Sequence, residues 1–245
     1  MFTPDYRARI RESLIEKARQ DTRIESAAAV GGSAQGEPDR WSDLDLSFGV
    51  SDGARDEVLA DWTASLRSDF DAVTLFDLPF MSSLYRVFLF PGALQVDLSF
   101  TPSEEFGALG PRFALLFGTA VERPQSALTS PRQEFGLAAH HAVRAHFALR
   151  RGRVWQAEHW ISLVRDHALT LACRRLGFEA AYGRGFDSLP EDIRAEAAQA
   201  LARSLDPDEL RRALNQAVSL LVRESEGAHE DAAQITSALR ELAEE

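Results

Sequence analysis

The sequence predicts an α+β chain in which a mixed sheet with flanking helices is followed by an all-α helical bundle. Three observations lead there. Between residues 24 and 100, short runs of strand length recur, several of them alternating polar and apolar residues, with glycine or proline between runs. Beyond about residue 130 that alternation stops, and apolar residues return at helical spacing behind capping residues. The stretch 101–130 holds Pro102, Gly107, Gly110, Pro111, Gly118 and Pro124 and is the least regular part of the chain. It reads as a crossover, which puts one domain at 1–125 and a second at 126–245.

Thr3-Pro4 opens a helix to about Gln20, because Thr3 can cap and Pro4 is preset for the first helical position. Its apolar side is Ile10, Leu14, Ile15 and Ala18. The run 24–30, mostly apolar, predicts a strand that halts at Gly31-Gly32-Ser33. A polar loop leads to a second strand at 43–49. Asp52-Gly53 precedes a helix to about Asp69, with Val58, Leu59, Trp62 and Leu66 at helical spacing. Strands follow at 72–76, 84–90 and 94–100, with Pro91-Gly92 as the turn between the last two. The apolar piece 113–117 belongs to the crossover. Ser130-Pro131 then caps a helix to about Arg151, and the next, 153–176, ends at Gly177. Ser188-Leu189-Pro190-Glu191 and Asp206-Pro207 cap two more, and a last helix starts near His229, so the bundle has about five helices.

Composition narrows the function classes. No apolar run approaches the ~20 residues that span a bilayer, and the N-terminus lacks the basic start and apolar core of a signal peptide. The single cysteine, Cys173, allows no internal disulfide. A cytoplasmic protein without a membrane partner is expected. The net charge of −11 argues against a nucleic-acid backbone as partner, and the acid excess is larger in the first domain. That balance suits a cationic acceptor better.

The chemistry-bearing residues lie around Gly31 to Leu46. In a strand, Asp43, Asp45 and Ser47 share one face while Leu44, Leu46 and Phe48 share the other. Two like charges on one face repel unless a cation sits between them, and carboxylate oxygens suit Mg²⁺. The strand 94–100 alternates in the same way and carries Asp97 on its polar face. Paired beside the first, it would bring three carboxylates together. Gly31 and Gly32 let backbone N–H groups approach an anion, with the Ser33 hydroxyl as a further donor. Arg40 and Arg86 are candidate phosphate contacts. In the helix from Arg153, Trp155, Glu158, Ser162 and Asp166 form a stripe able to line an acceptor pocket. The histidines at 140, 141, 146, 159 and 167 make no zinc pattern and read as packing or surface residues.

Gly32-Ser33, then Asp43-Leu44-Asp45-Leu46, then a later strand aspartate resembles the nucleotidyltransferase superfamily of polymerase-beta type. Within it the likeness is to small antibiotic nucleotidyltransferases of aminoglycoside and lincosamide type, and it covers residues 24–100. The resemblance implies a nucleotidyltransferase-type sheet and Mg²⁺-dependent transfer of a nucleoside monophosphate from a nucleoside triphosphate such as ATP to a hydroxyl of a small acceptor. It further implies that Asp43, Asp45 and Asp97 hold two Mg²⁺ ions, with Asp97 alternatively taking the acceptor's proton. The acceptor cleft is expected between the domains. Two rivals are a non-catalytic nucleotide-binding or regulatory protein and an antitoxin-like enzyme that transfers AMP to a protein.

Overall fold

The alternating segments pair into one sheet. A computed structural model describes residues 1–34, 39–110, 112–123, 129–225, 227 and 229–244, without the side chains of Ser33, Ala243 and Glu244. Its strands are β1 (Ile24–Val30), β2 (Leu44–Val50), β3 (Val73–Phe80), β4 (Ser83–Phe90), β5 (Leu94–Pro102) and β6 (Phe113–Phe117), in the order β3-β4-β5-β2-β1-β6. β2 and β5 run parallel, and the other neighbours are antiparallel, so the sheet is mixed, as expected. The parallel pair is reached through α2 (Arg55–Phe70) and the β3–β4 hairpin, since parallel neighbours need a long connection.

Two strands differ from the sequence reading. β3 runs on to Phe80 through Pro79, which an edge strand tolerates because its outer side makes no ladder bonds. Residues 113–117 are not crossover but strand β6, antiparallel to β1 and closing the opposite edge. Phe-Ala-Leu-Leu-Phe has no period-two alternation, so only the partner strand reveals it.

One face of the sheet is dry. Leu44, Leu46, Phe48, Phe88, Phe90, Val96, Leu98 and Phe100 bury themselves against α1 (Pro4–Gln20) and α2. Ile10 and Leu14 come from α1, and Val58, Trp62 and Leu66 from α2. Fully burying such a side chain contributes about 1.5–3 kcal/mol. Trp62 is the centre: its ring lies 4.9 Å from Phe48 and 5.8 Å from Phe100, and its indole N–H donates to Asp21 at 3.0 Å.

The chain divides into two compact units, Met1–Ala127 and Leu128–Glu245. The second is helical: α3 (Pro131–Arg150), α4 (Val154–Leu176), α5 (Glu191–Gln199), α6 (Pro207–Arg223) and α7 (Ala232–Glu244). Its seam is rich in alanine, with Ala138, Ala142 and Ala145 on α3, Ala157 and Ala168 on α4, and Ala213 and Ala217 on α6, all buried. The ends are capped by Ser130 over Gln133 N–H, by Asp206 over two N–H groups, and by Gly177 at φ 76°. Among the described residues no helix is long and apolar enough to cross a membrane.

Candidate active site

The parallel pair sets the site. In the β2–β5 register Asp45 stands opposite Asp97 and Ser47 opposite Ser99. Neighbouring strands lie about 4.8 Å apart, so the two carboxylates are adjacent on the face turned away from α1 and α2. The row continues outward, since Val87 of β4 faces Asp97 and Phe76 of β3 faces Val87. Asp43 precedes β2 and is exposed.

The turn after β1 is built against Asp45. Gly31 has φ 62°, and a β-carbon placed there would stand 2.3 Å from Asp45 Oδ2. Only glycine fits both the left-handed backbone and the close approach. A β-carbon on Gly32 would meet nothing within 4 Å, so that position faces open space. The Ser33 side chain, a candidate phosphate donor, lies outside what is described. Further along, Arg7 from α1 donates to Asp39 O at 2.6 Å and Ser42 O at 2.8 Å, which fixes the approach to β2. Asp39 accepts from Trp41 N–H at 2.7 Å and Ser42 Oγ at 3.0 Å, and these bonds hold its carboxyl below the usual range. Arg40 stacks over the Trp41 ring at 4.3 Å.

Asp97 is electrostatically strained. Burial raises its carboxyl above the usual range, a hydrogen bond from Gln95 Nε2 at 3.0 Å opposes that, and the charge of Asp43 raises it further. Two opposed carboxylates, with the ionised form of Asp97 disfavoured, fit a hard divalent cation in donor type and charge. Among the described residues no three His, Cys, Asp or Glu side chains are already grouped to hold one.

Cavities lie on both sides of this row. One of about 310 Å³ is lined by Phe2, Trp41, Asp43 and Gln95. The other, about 110 Å³, begins at Ser47 and Ser99, two residues further along the strands. The same sheet face also carries Phe76, Leu78 and Phe80 of β3, which are 53%, 53% and 42% exposed. Sequence reasoning missed this apolar row, which depends on cross-strand register, and the arginines of the smaller cavity, which irregular segments bring there.

Arg86 is a correction. Its guanidinium grips Asp77 with two bonds of 2.7 Å and donates to Thr63 Oγ1 of α2 at 2.8 Å. It pairs with Leu98 in the β4–β5 register, so it sits on the helix-covered face, away from the carboxylates. The stripe on α4 lies in the second unit. There Ser162 donates to Glu158 at 2.8 Å, Asp166 pairs with Arg165 at 3.1 Å, and Trp155 is 74% exposed. Of the histidines, His140 and His159 are exposed, while His141 stacks between Trp160 and His167, each at 5.0 Å, and burial chiefly lowers its pKa to about 4.

No protein-family model matches this sequence, and no curated protein matches it. Among solved structures the chain is similar to an aminoglycoside 6-adenyltransferase from Bacillus subtilis, at 16% identity and a TM-score of 0.41, with 94% of each chain covered. A likeness of that size does not establish an activity, which rests on the residues themselves.

Proposed function

We propose that the chain is a nucleotidyltransferase that moves a nucleoside monophosphate from a nucleoside triphosphate to a hydroxyl of a small acceptor. The observation that carries this reading is the Asp45–Asp97 pair on the open sheet face, with the Gly31 turn packed against Asp45 and a cavity on either side. A transfer between two substrates needs that plan, a reacting centre flanked by two places to bind.

Asp43, Asp45 and Asp97 would hold Mg²⁺, with two ions proposed. When bound, Mg²⁺ neutralises the phosphate charge that a chain of net charge −11 would otherwise repel. The turn at Gly31, Gly32 and Ser33 takes the phosphates through backbone N–H groups, and Arg40 is kept as a further phosphate contact. The acceptor oxygen forms a bond to the α-phosphorus, and the bond from that phosphorus to the bridging oxygen breaks. Pyrophosphate leaves, and the hydroxyl proton passes to Asp97 or to water. Trp155, Glu158, Ser162 and Asp166 are kept as acceptor contacts, for which Asp166 must exchange its pair with Arg165.

The test is a panel of the four ribonucleoside triphosphates with Mg²⁺ and small hydroxyl acceptors, scored by pyrophosphate release. Release that needs an acceptor and disappears in Asp45→Asn is the expected result. Nucleotide binding without release by any acceptor would favour the regulatory reading, and label on protein would favour protein modification.

A further inference from the structure

The open face carries a second polar cluster that the transfer chemistry leaves unused. Two residues beyond the carboxylates, Ser99 Oγ donates to Ser47 Oγ at 2.7 Å. Further along β5, the Thr101 hydroxyl is joined to that of Ser83 on β4 at 2.7 Å. These pairs make a hydroxyl floor across β2, β5 and β4, within the cavity of about 110 Å³ that Arg112 and Arg123 also line.

Arg123 is the informative residue. Its side chain is only 7% exposed, and among the described residues its polar partners are the half-exposed Glu105 at 3.7 Å and Met81 Sδ at 3.9 Å. A guanidinium has five N–H donors, and a buried charge is costly unless it is paired. The donors that this one long ion pair does not use border the cavity. The backbone that delivers Arg123 is clamped. Val121 N–H donates to Phe106 O at 2.7 Å, and Gly107 lies so close that a β-carbon there would stand 2.0 Å from Val121 O. Ser26 Oγ bonds both Thr119 O at 2.8 Å and Thr119 N–H at 2.9 Å. A clamped backbone that brings a guanidinium to the wall of a hydroxyl-lined cavity is a built site.

Paired guanidinium donors match a tetrahedral oxyanion in shape and charge, and the cavity is the size of one such group rather than of a whole nucleotide. We propose that this pocket binds a phosphate-type oxyanion carried by one of the two substrates of the transfer. Its link to transfer rests on the function proposed above, while anion binding itself does not. A purely cationic acceptor has no use for these two arginines, so local chemistry here opposes the preference that net charge suggests at a distance.

The experiment is calorimetric titration of inorganic phosphate into the full chain at fixed ionic strength without Mg²⁺. Wild type is expected to bind, and Arg123→Gln to weaken binding about ten- to a hundred-fold, as for a lost hydrogen bond to a charged group. Arg112→Gln, on the same cavity, provides a second variant, and melting curves establish that each is folded. Repeating the titration with saturating Mg²⁺ and a non-hydrolysable nucleoside triphosphate locates the source. Phosphate that still binds assigns the oxyanion to the acceptor, and phosphate that is displaced assigns it to the nucleotide's own chain. No binding up to about 10 mM, a range covering weak millimolar sites, or equal binding by wild type and both variants, overturns the pocket. Phosphate binding in a protein that releases no pyrophosphate would leave the pocket standing and remove the transferase reading.

Discussion

The two faces of the sheet are made by alternate residues of the same strands, yet they live in different solvents. Leu44, Leu46, Val96 and Leu98 are 1% exposed or less and lie against two helices, while Asp45, Ser47 and Asp97, one peptide away, stay partly open. The dry face holds the fold through packing. The open face keeps like charges opposed and hydroxyls paired to one another, and it leaves Phe76, Leu78 and Phe80 in water. The difference teaches that stability and chemistry are separated here by side-chain parity, so a substitution should disturb one and spare the other.

The strongest attempt to break that separation is Trp62→Ala. The indole is 1% exposed and contacts Phe48 and Phe100, so truncation should cost about 3–5 kcal/mol. Urea unfolding measures the loss, and nucleotide affinity per folded molecule should hold. A parallel fall in affinity would show that the faces are coupled through the strands.

The converse is Asp97→Asn. If Asp97 is the direct cation ligand proposed above, its loss should exceed the ten- to hundred-fold seen for groups that only support a ligand, so turnover should fall by more than about a hundred-fold. The melting temperature should hold or rise in metal-free buffer, because burial and Asp43 both disfavour the ionised carboxylate. Turnover above a few per cent of wild type would remove Asp97 from the reaction.

This parity was legible in the sequence because period two is a local property. Asp43, Asp45 and Asp97 and their apolar counterparts could be sorted from the alternation alone, and the capped helices of the second unit from period 3.6. Pairing is not local. The opposition of Asp45 to Asp97 followed only once β2 and β5 were side by side, and Arg86 was misplaced because no cross-strand register told which face it shared. Nor could the 113–117 run reveal a strand without β1 beside it, or Arg123 a pocket without the clamp at Gly107. Gly31 shows the intermediate case: its glycine suggested a turn, and the structure adds the carboxylate that makes any side chain collide.

A smaller effect sits at the edge of the dry face. Asp21 is bonded by Arg23 and by the Trp62 indole, and chiefly the Arg23 bonds lower its carboxyl to about 2. A folded-state value below the unfolded one means stability that is complete above about pH 4 and lost as pH falls towards 2. The side chain is 13% exposed, so screening by water is modest, and the contribution is about 2 kcal/mol. Unfolding free energies across that window should fall more steeply in wild type than in Asp21→Asn. Equal slopes would mean that the ion pair adds nothing.

The finest test compares two adjacent glycines. Gly31→Ala forces a β-carbon into the left-handed region and against Asp45, which should cost about 1–2 kcal/mol and displace the carboxylate. Its turnover should drop together with its melting temperature. Gly32→Ala meets nothing within 4 Å, so the free protein should keep its unfolding free energy to within about 0.5 kcal/mol. The two positions separate protein strain from ligand contact. If a phosphate chain passes over the turn, the methyl at 32 occupies its path, and nucleotide affinity falls in a protein that is otherwise intact. If affinity is unchanged at 32 while Gly31→Ala loses activity, the turn serves only to seat Asp45, and the phosphates bind elsewhere on the open face.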